Sequence, residues 1–147
     1  MKDKILKIFC DGGSRNNPGE AASAFVVEEE GKVIFEGAKY IGKNTNNAAE
    51  YWGVIIALEW LRENIGSYKH HEINFFLDSE LVVNQLMGKF KIKNENLRDL
   101  FLTIKELEKV TDKKIIYTAI PRSKNTLADF LVNKTLDQNL FHVPGKK

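Results

Sequence analysis

Apolar residues fill Ile5-Leu6-Lys7-Ile8-Phe9-Cys10 almost without interruption, and the run ends on a carboxylate, Asp11. A short apolar run of this kind predicts a strand, here over residues 4–11. Gly12–Gly19 then gathers glycines, asparagines and a proline, which is the chemistry of a turn. Ala22–Glu29 and Lys32–Tyr40 read as two further strands joined by a tight Glu30-Gly31 hairpin, so three consecutive strands form an antiparallel meander. Gly42-Lys43-Asn44 reads as a loop. From Ala48 to Asn64 the pattern becomes helical. Ala49, Gly53, Ile56, Ala57, Trp60 and Leu61 share one face, and Val54, Ile55 and Leu58 fill much of the rest. A helix apolar nearly all round is buried against more than one element, so this one is expected to be central, with Trp52 and Trp60 in the core. Beyond it the pattern predicts a strand over Glu72–Asp78 and a short helix over Glu80–Met87. A basic connection (Gly88–Lys93), an amphipathic helix (Asn94–Val110), a last strand (Lys113–Ile120) and a last helix (Thr126–Asp137) follow. The order βββαβααβα predicts one α/β domain over residues 1–147 with a mixed sheet. The tail from about residue 139, through Phe141 and beyond, is expected to be loosely ordered.

Composition leaves this picture intact. A chain of 147 residues suits one domain with a real core. A net charge of +2 is too small to imply a polyanionic partner by itself, so any attraction to phosphate must come from local patches. Cys10 is the only cysteine, which excludes an internal disulfide and a cysteine metal site; it faces away from Asp11 along a regular strand and belongs to the core. No window is apolar enough to span a bilayer. Met1-Lys2-Asp3-Lys4 leads straight into the first strand, leaving no room for a signal peptide. The chain is therefore expected to be cytoplasmic, with no membrane partner.

Four carboxylates change the picture more. Asp11 ends a strand, where its bland role would be to bond the amides of the following turn. Glu50 stands three residues after Asn47, the spacing of a helix capping box. Asp78 follows Phe75-Phe76-Leu77, where either it or Ser79 suits the cap of the next helix. Asp129 lies one turn beyond Asn125 on a face that Asn133 continues, and such a stripe is usually solvated. Taken together they read differently. Two acids end strands, where α/β sheets place ligands, and two sit in helices that can cover the sheet. Converging carboxylates repel one another without cations, and an oxygen-rich set suits Mg²⁺ or Mn²⁺. Two such ions, about 4 Å apart, can activate a water and stabilise the leaving oxygen of a phosphodiester. No His/Cys cluster suits zinc.

The motifs that hold these acids resemble the type 1 ribonucleases H over nearly the whole chain. They are DGGSRNNPG at Asp11–Gly19, TNNAAEY at Thr45–Tyr51, LDSELVVNQLMGKFKIKN at Leu77–Asn94 and PRSKNTLAD at Pro121–Asp129. The resemblance implies a ribonuclease H-like fold, with a five-stranded mixed sheet and helices on both faces. It also implies an endonuclease that cuts the RNA strand of RNA–DNA hybrids, leaving 5′-phosphate and 3′-hydroxyl ends. Two Mg²⁺ or Mn²⁺ ions would be bound with substrate by Asp11, Glu50, Asp78 and Asp129. The protein is expected to act as a monomer.

The same resemblance implies that Glu50 also contacts the ribose 2′-hydroxyl, the group by which a protein tells RNA from DNA. Asn17, Asn46 and Asn47 would lie in the minor groove and Thr45 would bind a DNA-strand phosphate. Gly12, Gly13, Ser14, Ser79, Glu80, Arg122 and Asn125 complete the implied substrate-binding set. Many relatives have a histidine in a mobile loop before the last carboxylate. Here that loop is the short Ile120-Pro121-Arg122-Ser123-Lys124, and His70, His71 and His142 do not match the position. Glu80 stands where many relatives carry a glutamine. Only Lys89, Lys91 and Lys93 occupy the place of the basic protrusion of some bacterial members, as candidate phosphate contacts. Phe90 and Ile92 between them are expected to tuck inward. Two other readings use the same residues, a hybrid-binding module without catalysis and a different nuclease on this fold. The four acids speak against the first and the asparagine-rich motif before Glu50 against the second.

Overall fold

A computed structural model of the chain describes residues 5–64, 66 and 72–140. His70, His71, His142, the residues before Ile5 and the tail from Phe141 lie outside the described residues. The elements are β1 (Ile5–Arg15), β2 (Gly19–Glu29), β3 (Lys32–Asn44), α1 (Asn46–Asn64), β4 (Glu72–Leu77), α2 (Glu80–Leu86), α3 (Glu95–Thr111), β5 (Lys114–Ala119), a 3₁₀ turn (Arg122–Lys124) and α4 (Thr126–Leu140). The strands form one sheet in the order β3-β2-β1-β4-β5. β1–β2 and β2–β3 are antiparallel, whereas β1–β4 and β4–β5 are parallel, so the sheet is mixed. This matches the expected architecture, a five-stranded mixed sheet with helices on both faces.

The alternation of side chains along the strands divides those faces. Leu6, Ile8 and Cys10 of β1 join the main core with α1, α3, Phe75 and Tyr117. On β2, Ala22 and Ala24 pack instead beneath Val132 and Leu136 of α4. Between those two alanines the Ser23 hydroxyl points the other way and donates to the Ala49 carbonyl of α1 at 2.6 Å. α1 is buried at eleven of its 19 residues, in keeping with an apolar surface nearly all round. No helix of the described residues is long and apolar enough to cross a membrane.

The structure corrects several local expectations. β1 continues past Asp11 to Arg15, which pairs with Glu20, so the turn shrinks from Gly12–Gly19 to Asn16-Asn17-Pro18. Asn16 adopts a positive φ of 72° there, a conformation that asparagine tolerates. The Gly42–Asn44 segment also pairs with β2, reached across a bulge at Ala21/Ala22. α1 is capped by Thr45, whose Oγ1 accepts from the Ala48 amide at 3.1 Å, so Glu50 is not committed to a box with Asn47. Trp52 and Trp60 are half-buried at the edge of the core; Trp60 stacks on Phe35 with ring centroids 5.2 Å apart. Ile92 packs inward as expected, but Phe90 is 50% exposed. α4 runs through Leu140, beyond the expected end at Asp137.

Candidate active site

Two glycines set the distance between α1 and the sheet. A Cβ at Gly12 would lie 2.1 Å from the Ala49 carbonyl oxygen, and one at Gly53 would lie 2.9 Å from the Asp11 carbonyl oxygen. Only residues without side chains allow helix and strand backbones to come this close. The contact places Glu50, in the first turns of α1, beside Asp11 on β1.

The parallel ladder between β1 and β4 ends at Phe9 and Phe76. Asp11 and Asp78 each stand two residues past that point, where the strand ends separate at a reversal of strand order. Open α/β sheets bind ligands in such crevices. One carboxylate oxygen from each of Asp11, Glu50 and Asp78 lies within 4.8 Å of the others. Asp129, from the first turns of α4, lines the same cleft without joining that tight group. The Ser79 hydroxyl accepts from the Val82 amide at 3.2 Å and caps α2, so that duty does not fall to Asp78.

This crowding has an electrostatic cost. Asp11 and Glu50 are each 6% exposed. Burial, together with the charge of Asp78, pushes the Asp11 carboxyl up to about 7. Burial and then the charges of Asp11 and Asp78 raise Glu50 well above the usual carboxylate range. Glu50 Oε2 is buried with no hydrogen-bond partner. A buried carboxylate with one oxygen left without a donor, crowded by two more carboxylates, is a poor arrangement unless a cation serves it. The donor set is all oxygen and highly charged, so it fits a hard divalent cation. Asp11, Glu50 and Asp78 would hold such an ion, with Asp129 at the rim.

The cleft has a volume of about 520 Å³. Of the expected substrate-binding residues it is lined by Gly12, Gly13, Ser14, Asn46, Asn47, Ser79 and Arg122. Asn46 is fixed from two sides. Its Oδ1 accepts from the Ser14 amide at 2.8 Å and hydroxyl at 3.1 Å, and its own amide donates to Asn17 Oδ1 at 2.9 Å. This ties the β1–β2 turn to the start of α1. Arg122 is exposed and has no acidic partner among the described residues. Asn17, Thr45 and Glu80 lie outside the cleft lining, as do Lys89, Lys91 and Lys93, which are exposed beyond the end of α2.

Asn125 differs from expectation. It is 2% exposed, and its amide donates to the Cys10 carbonyl at 2.8 Å and to Asp78 Oδ2 at 3.2 Å, so it faces protein instead of substrate. Four lining residues were not among the expected site residues, the apolar Val132 and Leu136 and the polar Arg15 and Asn133. Arg15 pairs with Asp137 at 2.6 Å and reaches the Asn133 carbonyl at 3.4 Å, fastening the end of β1 to α4. Extending the first strand by four residues would have revealed Arg15, which shares the alternation of Asp11 and Gly13.

Comparison with known proteins agrees with the fold. Residues 9–135 match the family model described as reverse transcriptase-like. The chain is 37% identical over 132 residues to the bifunctional protein Rv2228c of Mycobacterium tuberculosis, covering 88% of this chain and 35% of that protein. It is 38% identical over 130 residues to ribonuclease HI of Halobacterium salinarum, covering 88% of this chain and 63% of the relative. The chain thus spans about a third of the length of the mycobacterial relative. Among solved structures, LC11-RNase H1 in complex with RNA/DNA hybrid superposes with a TM-score of 0.87 at 38% identity, over 92% of this chain and 99% of that one.

Proposed function

The chain belongs to the ribonuclease H-like family, and on that premise we propose that it is an endonuclease that hydrolyses the RNA strand of RNA–DNA hybrids, leaving 5′-phosphate and 3′-hydroxyl ends. The observation that carries this reading is the convergence of the Asp11, Glu50 and Asp78 oxygens within 4.8 Å beyond the end of the β1–β4 ladder. Asp11, Glu50, Asp78 and Asp129 are the proposed catalytic and metal-holding residues, for two Mg²⁺ or Mn²⁺ ions when substrate is bound. Bound ions would supply charge neutralisation and Lewis acidity to phosphodiester hydrolysis.

The chain's own residues account for recognition. The carbonyl oxygens of the Asn46 and Asn17 side chains are used inside the protein. Their exposed NH₂ groups therefore face outward as donors, suited to minor-groove acceptors such as base edges and sugar oxygens. Glu50 stands three residues after Asn47 in the same first turns and would contact a ribose 2′-hydroxyl. Ser14, Ser79 and Arg122 line the approach to the carboxylates, and Arg122 offers a free guanidinium for phosphate. Thr45, Glu80 and the lysines Lys89, Lys91 and Lys93 would meet the hybrid outside the cleft. All four carboxylates come from one chain, which supports a single domain acting as a monomer; the proposed setting is the cytoplasm.

The test is to incubate the purified chain with Mg²⁺, and separately with Mn²⁺, and labelled RNA–DNA hybrid, double-stranded RNA or double-stranded DNA. Cutting confined to the RNA strand of the hybrid is the expected result. A hybrid that is bound but never cut in either metal would overturn the reading.

A further inference from the structure

The end of the β1–β4 ladder leaves a gap that one side chain fills. Past Phe9 and Phe76 the two strands no longer pair, so the Cys10 carbonyl has no acceptor role in the sheet toward β4. The next carbonyl on the other strand, that of Leu77, is taken by the Ile120 amide at 2.8 Å. The Cys10 carbonyl is instead taken by Asn125 Nδ2 at 2.8 Å, and the same nitrogen reaches Asp78 Oδ2 at 3.2 Å. The Asn125 backbone carbonyl accepts from the Asp129 amide at 3.1 Å, and its amide donates to the Arg122 carbonyl at 3.0 Å. One residue, 2% exposed, thereby touches the Asp78 carboxylate itself, the residue before Asp11, and the first turn that carries Asp129.

The side chain is not optimised for stability. Asn125 Oδ1 is buried with no partner. A buried acceptor without a donor costs free energy, so an asparagine held there calls for a reason beyond packing. The donor side of the amide supplies one, because it bridges two acceptors that the separated strand ends would otherwise leave apart.

We propose that Asn125 is the positioning residue of the carboxylate centre: its amide spans the gap between β1 and β4 and holds the Asp78 carboxylate in the orientation that meets Asp11 and Glu50. This rests on the reading of those acids as metal ligands in a nuclease. Groups that orient a ligating carboxylate from behind set metal affinity and activity, and losing one typically costs about 10–100-fold. Asn125 is neutral, so it orients Asp78 without adding charge. An aspartate would keep the shape but lose the donor and place a fifth negative charge against Asp78.

The experiment measures Mg²⁺ binding by calorimetry, and hybrid hydrolysis as a function of Mg²⁺, for the wild-type chain, Asn125→Ala and Asn125→Asp. For Asn125→Ala the Mg²⁺ midpoint should rise about 10–100-fold. Its kcat should fall by a similar factor, while KM for hybrid stays within about twofold. Asn125→Asp should show the same fall in kcat. A wild-type Mg²⁺ midpoint in Asn125→Ala, or a loss confined to KM, would overturn the proposal. Should circular dichroism show that Asn125→Ala does not fold, a wild-type kcat in Asn125→Asp would overturn it equally. A wild-type chain that binds Mg²⁺ but cuts no hybrid would remove the nuclease reading alone, and the calorimetric midpoints would still decide the role of Asn125.

Discussion

Gly12 lies so close under Ala49 that a single added carbon would sit 2.1 Å from its carbonyl oxygen. The obstacle is backbone, which cannot rotate aside as a side chain could. Gly12→Ala must therefore lift α1 from β1 and carry Glu50 away from Asp11. We expect a loss of about 3 kcal/mol or more, at the upper end of overpacking costs. That corresponds to a fall in melting temperature on the order of 10 °C for a domain of this size. Melting followed by circular dichroism, with Mg²⁺-dependent cleavage measured well below the transition, checks both consequences. A variant with unchanged stability would mean that the contact is looser than it stands here.

Asp11→Asn removes one charge from the crowded group and keeps its shape. Cleavage of hybrid should fall by about 1,000-fold or more, because charge stabilisation worth several kcal/mol is lost from the transition state. Folding and hybrid affinity should persist, since recognition is read as lying with Asn46, Asn17 and Arg122. Cleavage, circular dichroism and gel-shift titration on the same preparation separate these effects, and full Mg²⁺-dependent activity would sink the assignment of Asp11.

Much of this was legible in the chain, for identifiable reasons. Asp78 stands just past a strand end and Glu50 near a helix start, and local pattern locates such places well. Asp11 was legible because the apolar run of β1 stops there, although the strand itself continues to Arg15. What escaped reading depended on pairing at a distance. Gly12-Gly13-Ser14-Arg15 has the composition of a turn, yet it pairs residue by residue with Glu20–Ser23 and remains strand. Thr45, Asn46 and Asn47 are all capping types, and only the geometry shows that Thr45 bonds the free Ala48 amide and leaves Glu50 for the cleft. Asn125 carries the polarity of a surface residue. Its burial follows from the gap where β1 and β4 part, which no pattern in its own segment could show. Phe90 erred the other way, since an aromatic between lysines read as inward and stands half-exposed.

Ser23 touches α1 at the same carbonyl as Gly12, but through a hydrogen bond. Its hydroxyl is fully buried and donates to Ala49 at 2.6 Å. Ser23→Ala should cost about 1 kcal/mol, the net worth of one such bond, and leave the spacing of helix and strand intact. Cleavage at 25 °C should then remain close to wild type while urea unfolding shows a lower midpoint with an unchanged slope. A large activity loss at unchanged stability would assign Ser23 a direct part in placing Glu50.

The raised Asp11 and Glu50 carboxyls make stability depend on pH and on metal together. In the unfolded chain both groups ionise near pH 4. In the folded, metal-free protein burial and mutual repulsion push Asp11 up to about 7 and Glu50 above its usual range. Between about pH 4 and pH 7 the folded state therefore binds more protons than the unfolded state, and stability falls as pH rises through that window. Their contribution is fully favourable only below the unfolded value. Asp11→Asn removes this penalty, so without metal the variant should be more stable than wild type by a margin that grows from pH 4 to pH 7 and flattens above. Divalent cation binds the ionised carboxylates of the folded state, so saturating Mg²⁺ should restore wild-type stability most strongly at pH 7–8 and hardly at all at pH 4. Asp11→Asn should gain little from Mg²⁺ at any pH. Melting temperatures of both proteins from pH 4 to pH 8, with EDTA or with Mg²⁺, test the linkage. Equal pH profiles for the two proteins in EDTA would show that the carboxylates are not crowded in solution.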